Sequence, residues 1–222
     1  MKRLIAILLV LLFALPLASC GNVYTSRTAR FYGEIDKSSF WFKAEIMTAS
    51  DTYYYTQAVD SDSVTTIEDH DDDANDGYVI YDGKYMHQLN VKNKKYDTVK
   101  TDSGVKFLFG NNEYSDFNLP DDVTEQATFR GNTYYCESFN TIDDKGNAKG
   151  VNKYYYDGER LVGIEWYEGN GLVTLLTMDT YSNQIPEGIY TSIPADYKAG
   201  TFTAEQIIPP SETPGGSSNT SK

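Results

Sequence analysis

The feature that most constrains this chain is a series of glycine-containing turn signals, each set between two short alternating runs. Asp82-Gly83 separates Tyr78–Tyr81 from Lys84–Asn90, and is the sharpest of them. Gly131-Asn132 separates Val123–Arg130 from Thr133–Ile142, and Asp157-Gly158 separates Lys153–Tyr156 from Arg160–Glu168. Gly169-Asn170-Gly171 then leads into Leu172–Tyr181. Gly, Asn and Asp tolerate the positive φ of a tight hairpin, so runs joined this way pair antiparallel with their sequence neighbours. Ser39–Thr48, Thr52–Val59, Ser63–Glu68 and Tyr96–Lys100 add four more runs, about eleven strands in all. The 19 Tyr agree with a sheet, because a tyrosine packs one edge of its ring and keeps its hydroxyl in water.

Helix signals are few. Residues 104–118 hold one short helix or a crossover, closed by Leu119-Pro120-Asp121-Asp122. That segment divides the strands into an earlier and a later group. No helix signature precedes the first strand. Neither group has a linker-like border, so residues 38–198 read as one mainly β domain, an antiparallel sheet.

The start of the chain has a different character. Lys2 and Arg3 precede an apolar run, Leu4 to Leu15, and Leu17-Ala18-Ser19-Cys20 follows it. Basic, apolar and small-residue segments in that order make a secretory signal, and the run is shorter than the roughly 20 residues of a membrane span. With Cys at its end, the segment resembles a bacterial lipoprotein signal. The resemblance implies cleavage after residue 19 and acylation of Cys20, which then holds the protein to a membrane outside the cytoplasm. Residues 20–37 form the lipidated Cys and a short tether. Residues 199–222 form a tail that lacks apolar residues from Pro209 onward and reads as disordered.

Without Lys2 and Arg3, 17 basic residues face 32 acidic ones, a net charge of −15. Nucleic-acid binding needs clustered Lys and Arg, so it is excluded as a function class. With Cys20 acylated, Cys136 has no disulfide partner, and its alternating setting reads as a buried thiol. His70 and His87 are the only histidines and lack zinc-ligand spacing. No nucleophile elbow, phosphate loop or triad occurs. The reading is therefore a non-catalytic protein without a cofactor. One acidic run, Glu68 to Asp76, places Asp71, Asp73 and Asn75 at the alternating spacing of a calcium loop, with Asp82 twelfth. The sixth position, which needs Gly, is Asp76, and a strand follows where a helix belongs. A solvated hairpin loop is the better reading.

The late strands are apolar on both faces. Val162, Ile164 and Trp166 share one face of their run; Leu172, Leu176 and Met178 share one face of theirs, with Val173 and Leu175 opposite. A sheet with one wet face shows a single apolar set, so both faces are covered. Ordinary two-sided packing and a ligand groove both satisfy that pattern.

Phe129–Phe139, Lys153-Tyr-Tyr-Tyr-Asp-Gly158 with Leu161-Val162, Ile185-Pro186, and Ile193-Pro194-Ala-Asp-Tyr197 are similar to the end of LolA/LolB-like and LppX-like envelope lipoproteins. Asp82-Gly83-Lys84-Tyr85 and Asn93-Lys94-Lys95-Tyr96 fit the same resemblance. It spans about residues 38–198 and implies a strongly curved antiparallel sheet, a half-open barrel of about eleven strands, closed on its concave side by helices around an apolar cavity for acyl chains. The single helix candidate departs from that pattern. The expected function is binding of an amphiphile, a lipid or acyl chain, against Val162, Ile164, Trp166, Leu172, Leu176 and Met178. The alternatives are a surface module that binds glycan or protein through Trp41, Trp166, Tyr53–Tyr55 and Tyr154–Tyr156, and a structural envelope protein without a ligand.

Overall fold

The computed structural model describes residues 24–70, 76–101, 105–110, 112–143 and 145–201. Cys20, the calcium-loop candidates Asp71, Asp73 and Asn75, and most of the tail lie outside the described residues. One helix, α1 (Arg27–Glu34), precedes strands β1 (Ser39–Thr48), β2 (Thr52–Asp60), β3 (Ser63–His70), β4 (Gly77–Tyr81), β5 (Tyr85–Asn90) and β6 (Lys95–Lys100). After a crossover come β7 (Asp122–Phe129), β8 (Asn132–Ile142), β9 (Ala148–Asp157), β10 (Arg160–Glu168) and β11 (Gly171–Ser182). A short β12 (Lys198–Ala199) pairs parallel to β6, a twelfth strand that two residues of chain cannot announce in a sequence.

All twelve strands form one curved, open sheet in the order β12-β6-β5-β4-β3-β2-β1-β11-β10-β9-β8-β7. Each hairpin is where the turn residues put it; at Asp82-Gly83 the glycine takes φ +89°. The one long-range antiparallel junction is β1 with β11, where Ala44 faces Met178 and Ile46 faces Leu176. Chain order therefore leaves β6 near one edge of the sheet and β7 at the other.

The crossover between them packs over one face of the sheet, here called the inner face. Its described residues form no α-helix. Residues 108–110 make a turn, Tyr114–Phe117 a single 3-10 turn, and Phe107, Phe109 and Phe117 are buried in the main core. α1 lies on the same face, and this corrects the reading of residues 20–37 as a tether. The Ser26 hydroxyl caps the helix by accepting from Ala29 N at 2.8 Å, and Thr28, Ala29, Phe31 and Tyr32 are buried. Eight residues with no acidic side chain in the first turn carry little helix signal of their own. Packing against the sheet supplies what propensity does not.

The outer face carries two smaller clusters. Phe129, Cys136, Tyr155 and Leu175 form one. Tyr78, Ile80, Leu89 and Tyr197 form the other, under the chain after β11, which is anchored by the Thr65 hydroxyl donating to Tyr190 O at 2.8 Å. Both faces are thus covered by the chain itself over much of the sheet.

Candidate ligand pocket on the inner face

Aromatic side chains fill the inner face beneath α1 and the crossover. Tyr32 stacks on Phe117 with ring centroids 4.2 Å apart, Phe109 meets Phe42 at 4.9 Å, and Phe31 meets Phe109 edge-on at 5.2 Å. The sequence-derived ligand set falls apart against this packing. Ile164, Leu176 and Met178 are buried in the main core, with Trp166 packed partly against it. Val162 packs on the outer cluster instead, because a bulge between Leu161 and Gly163 reverses the alternation. Leu172 is exposed and sits opposite Tyr167, displaced by a second bulge between Trp166 and Tyr167. Four of the six residues therefore share a face, and α1 and the crossover already occupy it.

The tyrosine runs do not form one exposed patch either. Tyr154 and Tyr156 are buried inward and Tyr155 outward, while Tyr53 and Tyr55 are half-buried and Tyr54 is exposed. Cys136 is buried, and burial pushes its thiol up, away from nucleophile chemistry. His87 is held by Thr98 at 2.9 Å and Asp82 at 3.1 Å. Among the described residues no group of three His, Cys, Asp or Glu side chains is placed to hold a metal.

Space remains on the inner face beyond the crossover. A half-open pocket of about 240 Å³ is lined by Tyr55 from β2, Thr66 and Glu68 from β3, Gly77 and Val79 from β4, Met86 from β5 and Val105 from the crossover. The strand register explains why these meet: Tyr55 pairs with Glu68, Glu68 with Gly77, and Thr66 with Val79. Gly77 deepens the pocket, since a Cβ there would meet nothing within 4 Å. Gln57 fixes the wall beside it, with Nε2 donating to Lys106 O at 3.0 Å and Oε1 accepting from Leu108 N at 2.7 Å.

The floor is apolar and one end is polar. Burial pushes the Tyr55 hydroxyl up to about 12, so it stays protonated at neutral pH. Beyond Glu68, His70 Nδ1 lies 2.7 Å from Asp51 Oδ2, Nε2 lies 3.7 Å from Glu68 Oε2, and the imidazole stacks on Tyr53 at 4.4 Å. An apolar trough ending in carboxylates suits an amphiphile rather than a sugar or a phosphate. Sequence reasoning missed these residues. The signal was present: Tyr78 and Ile80 alternate with Val79 and Tyr81, an apolar set on each face, as in the later strands.

No family model matches the chain, and no curated protein matches it. Several solved structures are similar in fold. An uncharacterized conserved protein from Thermus thermophilus aligns over 78% of this chain and 96% of its own, at 8% identity and TM-score 0.42. A MucB structure aligns over 78% of this chain and 63% of its own, at 12% identity and TM-score 0.45, and a chain of the Pseudomonas aeruginosa MucA/MucB complex over 77% and 62%, at 9% identity and TM-score 0.45. This chain thus spans less than two thirds of MucB. A LolA superfamily protein from Nitrosomonas europaea aligns over 77% and 99%, at 13% identity and TM-score 0.39. The chain is similar to LolA-superfamily and MucB structures only at low identity and TM-scores below 0.5, and that likeness carries no argument about function.

Proposed function

We propose that this is a non-catalytic, lipid-anchored protein of the extracytoplasmic membrane face that binds an amphiphile. The ligand's apolar tail lies in the inner-face pocket, over Tyr55, Val79, Met86 and Val105. One observation carries the reading. The same sheet face that is tightly filled under α1 is left as an apolar trough over β2–β5. The basic, apolar and Cys-ended start of the chain supports the anchor, and two or more acyl chains make such an anchor stable. Cys20→Ser should move the protein from the membrane to the soluble fraction of fractionated cells.

The ligand test is extraction and mass spectrometry of the protein purified from membranes. Wild type should carry an amphiphile in near-equal amount, and Val79→Asp, which places a charge on the trough floor, should carry none. A wild-type protein that comes through empty, and takes up no fatty acid or alkylamine when offered one, rules the reading out.

A further inference from the structure

The inner-face pocket has a polar group with nothing to bind. Thr66 is 8% exposed, lines the pocket, and its Oγ1 makes no hydrogen bond. It lies beside the Tyr55 hydroxyl and offsets part of the burial effect there, but the pair does not reach hydrogen-bond geometry. Tyr55 Oη already accepts from Gln57 Nε2 at 3.1 Å. A buried hydroxyl without a partner is costly to leave unmet, so such a group at a pocket wall marks where a ligand atom belongs.

The next residue along that face is Glu68. Its side chain is 40% exposed, its described ion pair is with His70 at 3.7 Å, and His70 is held more closely by Asp51. Basic groups of these strands lie elsewhere. Lys84 sits over the Tyr85 ring, Lys100 pairs with Tyr85, and Lys95 stands at the far end of β6 opposite Asn90. Lys106 on the crossover is exposed beside the buried Phe107. A carboxylate beside an unpartnered hydroxyl makes a site for an ammonium group, since the carboxylate pairs with the charge and the hydroxyl accepts an N–H.

Resting on the amphiphile reading above, we infer that the pocket selects ligands with a positively charged amine head: Glu68 takes the charge, the Thr66 hydroxyl takes an N–H, and the tail runs over Val79 and Met86. Val99 extends this strip, for it pairs with Met86 on the same face and is 61% exposed. The net charge of the protein adds long-range attraction for cations but no selectivity between sites.

The test compares dodecylammonium with dodecanoate, equal chains with opposite heads, by calorimetry on the protein at neutral pH and low salt, below micelle formation. Dodecylammonium should bind at least about tenfold tighter, the range of a partly exposed charge pair with an added hydrogen bond. Glu68→Gln should abolish most of that preference while leaving thermal unfolding unchanged. Glu187→Gln, an exposed acid far along the chain, should leave the preference intact and so exclude a net-charge effect. Thr66→Val should weaken the amine and spare the carboxylate. Equal binding of the two ligands, or a preference that survives Glu68→Gln, overturns this inference while leaving amphiphile binding in place. Failure of both ligands to bind overturns the two together.

Discussion

Glu137 is 1% exposed, and both carboxylate oxygens are used. Oε1 accepts from Arg27 N at 2.9 Å and the Tyr135 hydroxyl at 3.2 Å; Oε2 accepts from Thr28 N at 2.8 Å and the Thr28 hydroxyl at 2.6 Å. A strand residue thereby caps a helix that has no acid in its own first turn. The free N–H groups and the positive end of the helix dipole compensate the buried charge. Glu137→Gln puts an amide N–H₂ against donors. It should lower the urea midpoint by an amount worth about 1–3 kcal/mol, with loss of amide protection at Arg27 and Thr28. At the β4–β5 turn, Asp82 accepts from Tyr85 N at 2.7 Å and Lys84 N at 3.0 Å and meets His87 Nε2 at 3.1 Å. The Tyr85 backbone bond, then His87, lower its carboxyl from 3.8 to about 2. A depressed carboxyl stabilises the fold above the ordinary value and loses that effect as pH falls through the folded value. The hairpin contribution should therefore be intact above pH 3.8 and fade toward pH 2, with the Asp82 carboxyl shift in an NMR titration following the same course.

At the scale of elements, strands were legible and their cover was not. Alternation and turn residues placed β1–β11 within a residue or two, except that β9 starts earlier, at Ala148, because local chemistry decides hairpins. The two bulges defeated face assignment at Val162 and Leu172, and Gly163 shows why the first exists. A Cβ there would lie 2.1 Å from the Phe129 ring, so the bulge sets a residue without a side chain under that ring. α1 was not legible, since Ser26 is its only local cap and the other first-turn N–H groups, of Arg27 and Thr28, are met by Glu137 on another element. The pocket was not legible either, because it is defined by where the crossover stops, a tertiary fact. The crossover itself hangs on Gln57, which is fully buried and bonds both Lys106 O and Leu108 N. Gln57→Leu keeps the volume and leaves those two backbone groups without partners, about 1–3 kcal/mol for each left unmet. Hydrogen exchange at the Leu108 amide should speed up well before global unfolding. Unchanged exchange would mean that Phe107 and Phe109 hold the segment without the glutamine.

At the scale of the molecule, two meanders become one sheet only at β1 and β11. The strands before the crossover and those after it would otherwise be separate ribbons, each with an unpaired inner edge. The joint is tied by eight paired positions of β1, Trp41 to Thr48, and by a core that draws on α1, both ribbons and the crossover. Forming it requires closing the more than 120 residues from Thr48 to Thr174, which slows folding but makes the folded state indivisible. The two tryptophans divide conveniently, Trp41 in β1 and Trp166 in β10. Trp41→Phe and Trp166→Phe therefore each leave one reporter, on opposite sides of the joint. Their fluorescence transitions in urea should coincide, as two-state unfolding requires. Leu176, fully buried and facing both Ile46 and Ile164, is the residue at which to load the joint. Leu176→Ala should destabilise by about 2–5 kcal/mol and move both reporters by the same amount. If the Trp166 signal shifts and the Trp41 signal stays, the ribbons fold independently, and the pocket on the β2–β5 side does not depend on the later half of the chain.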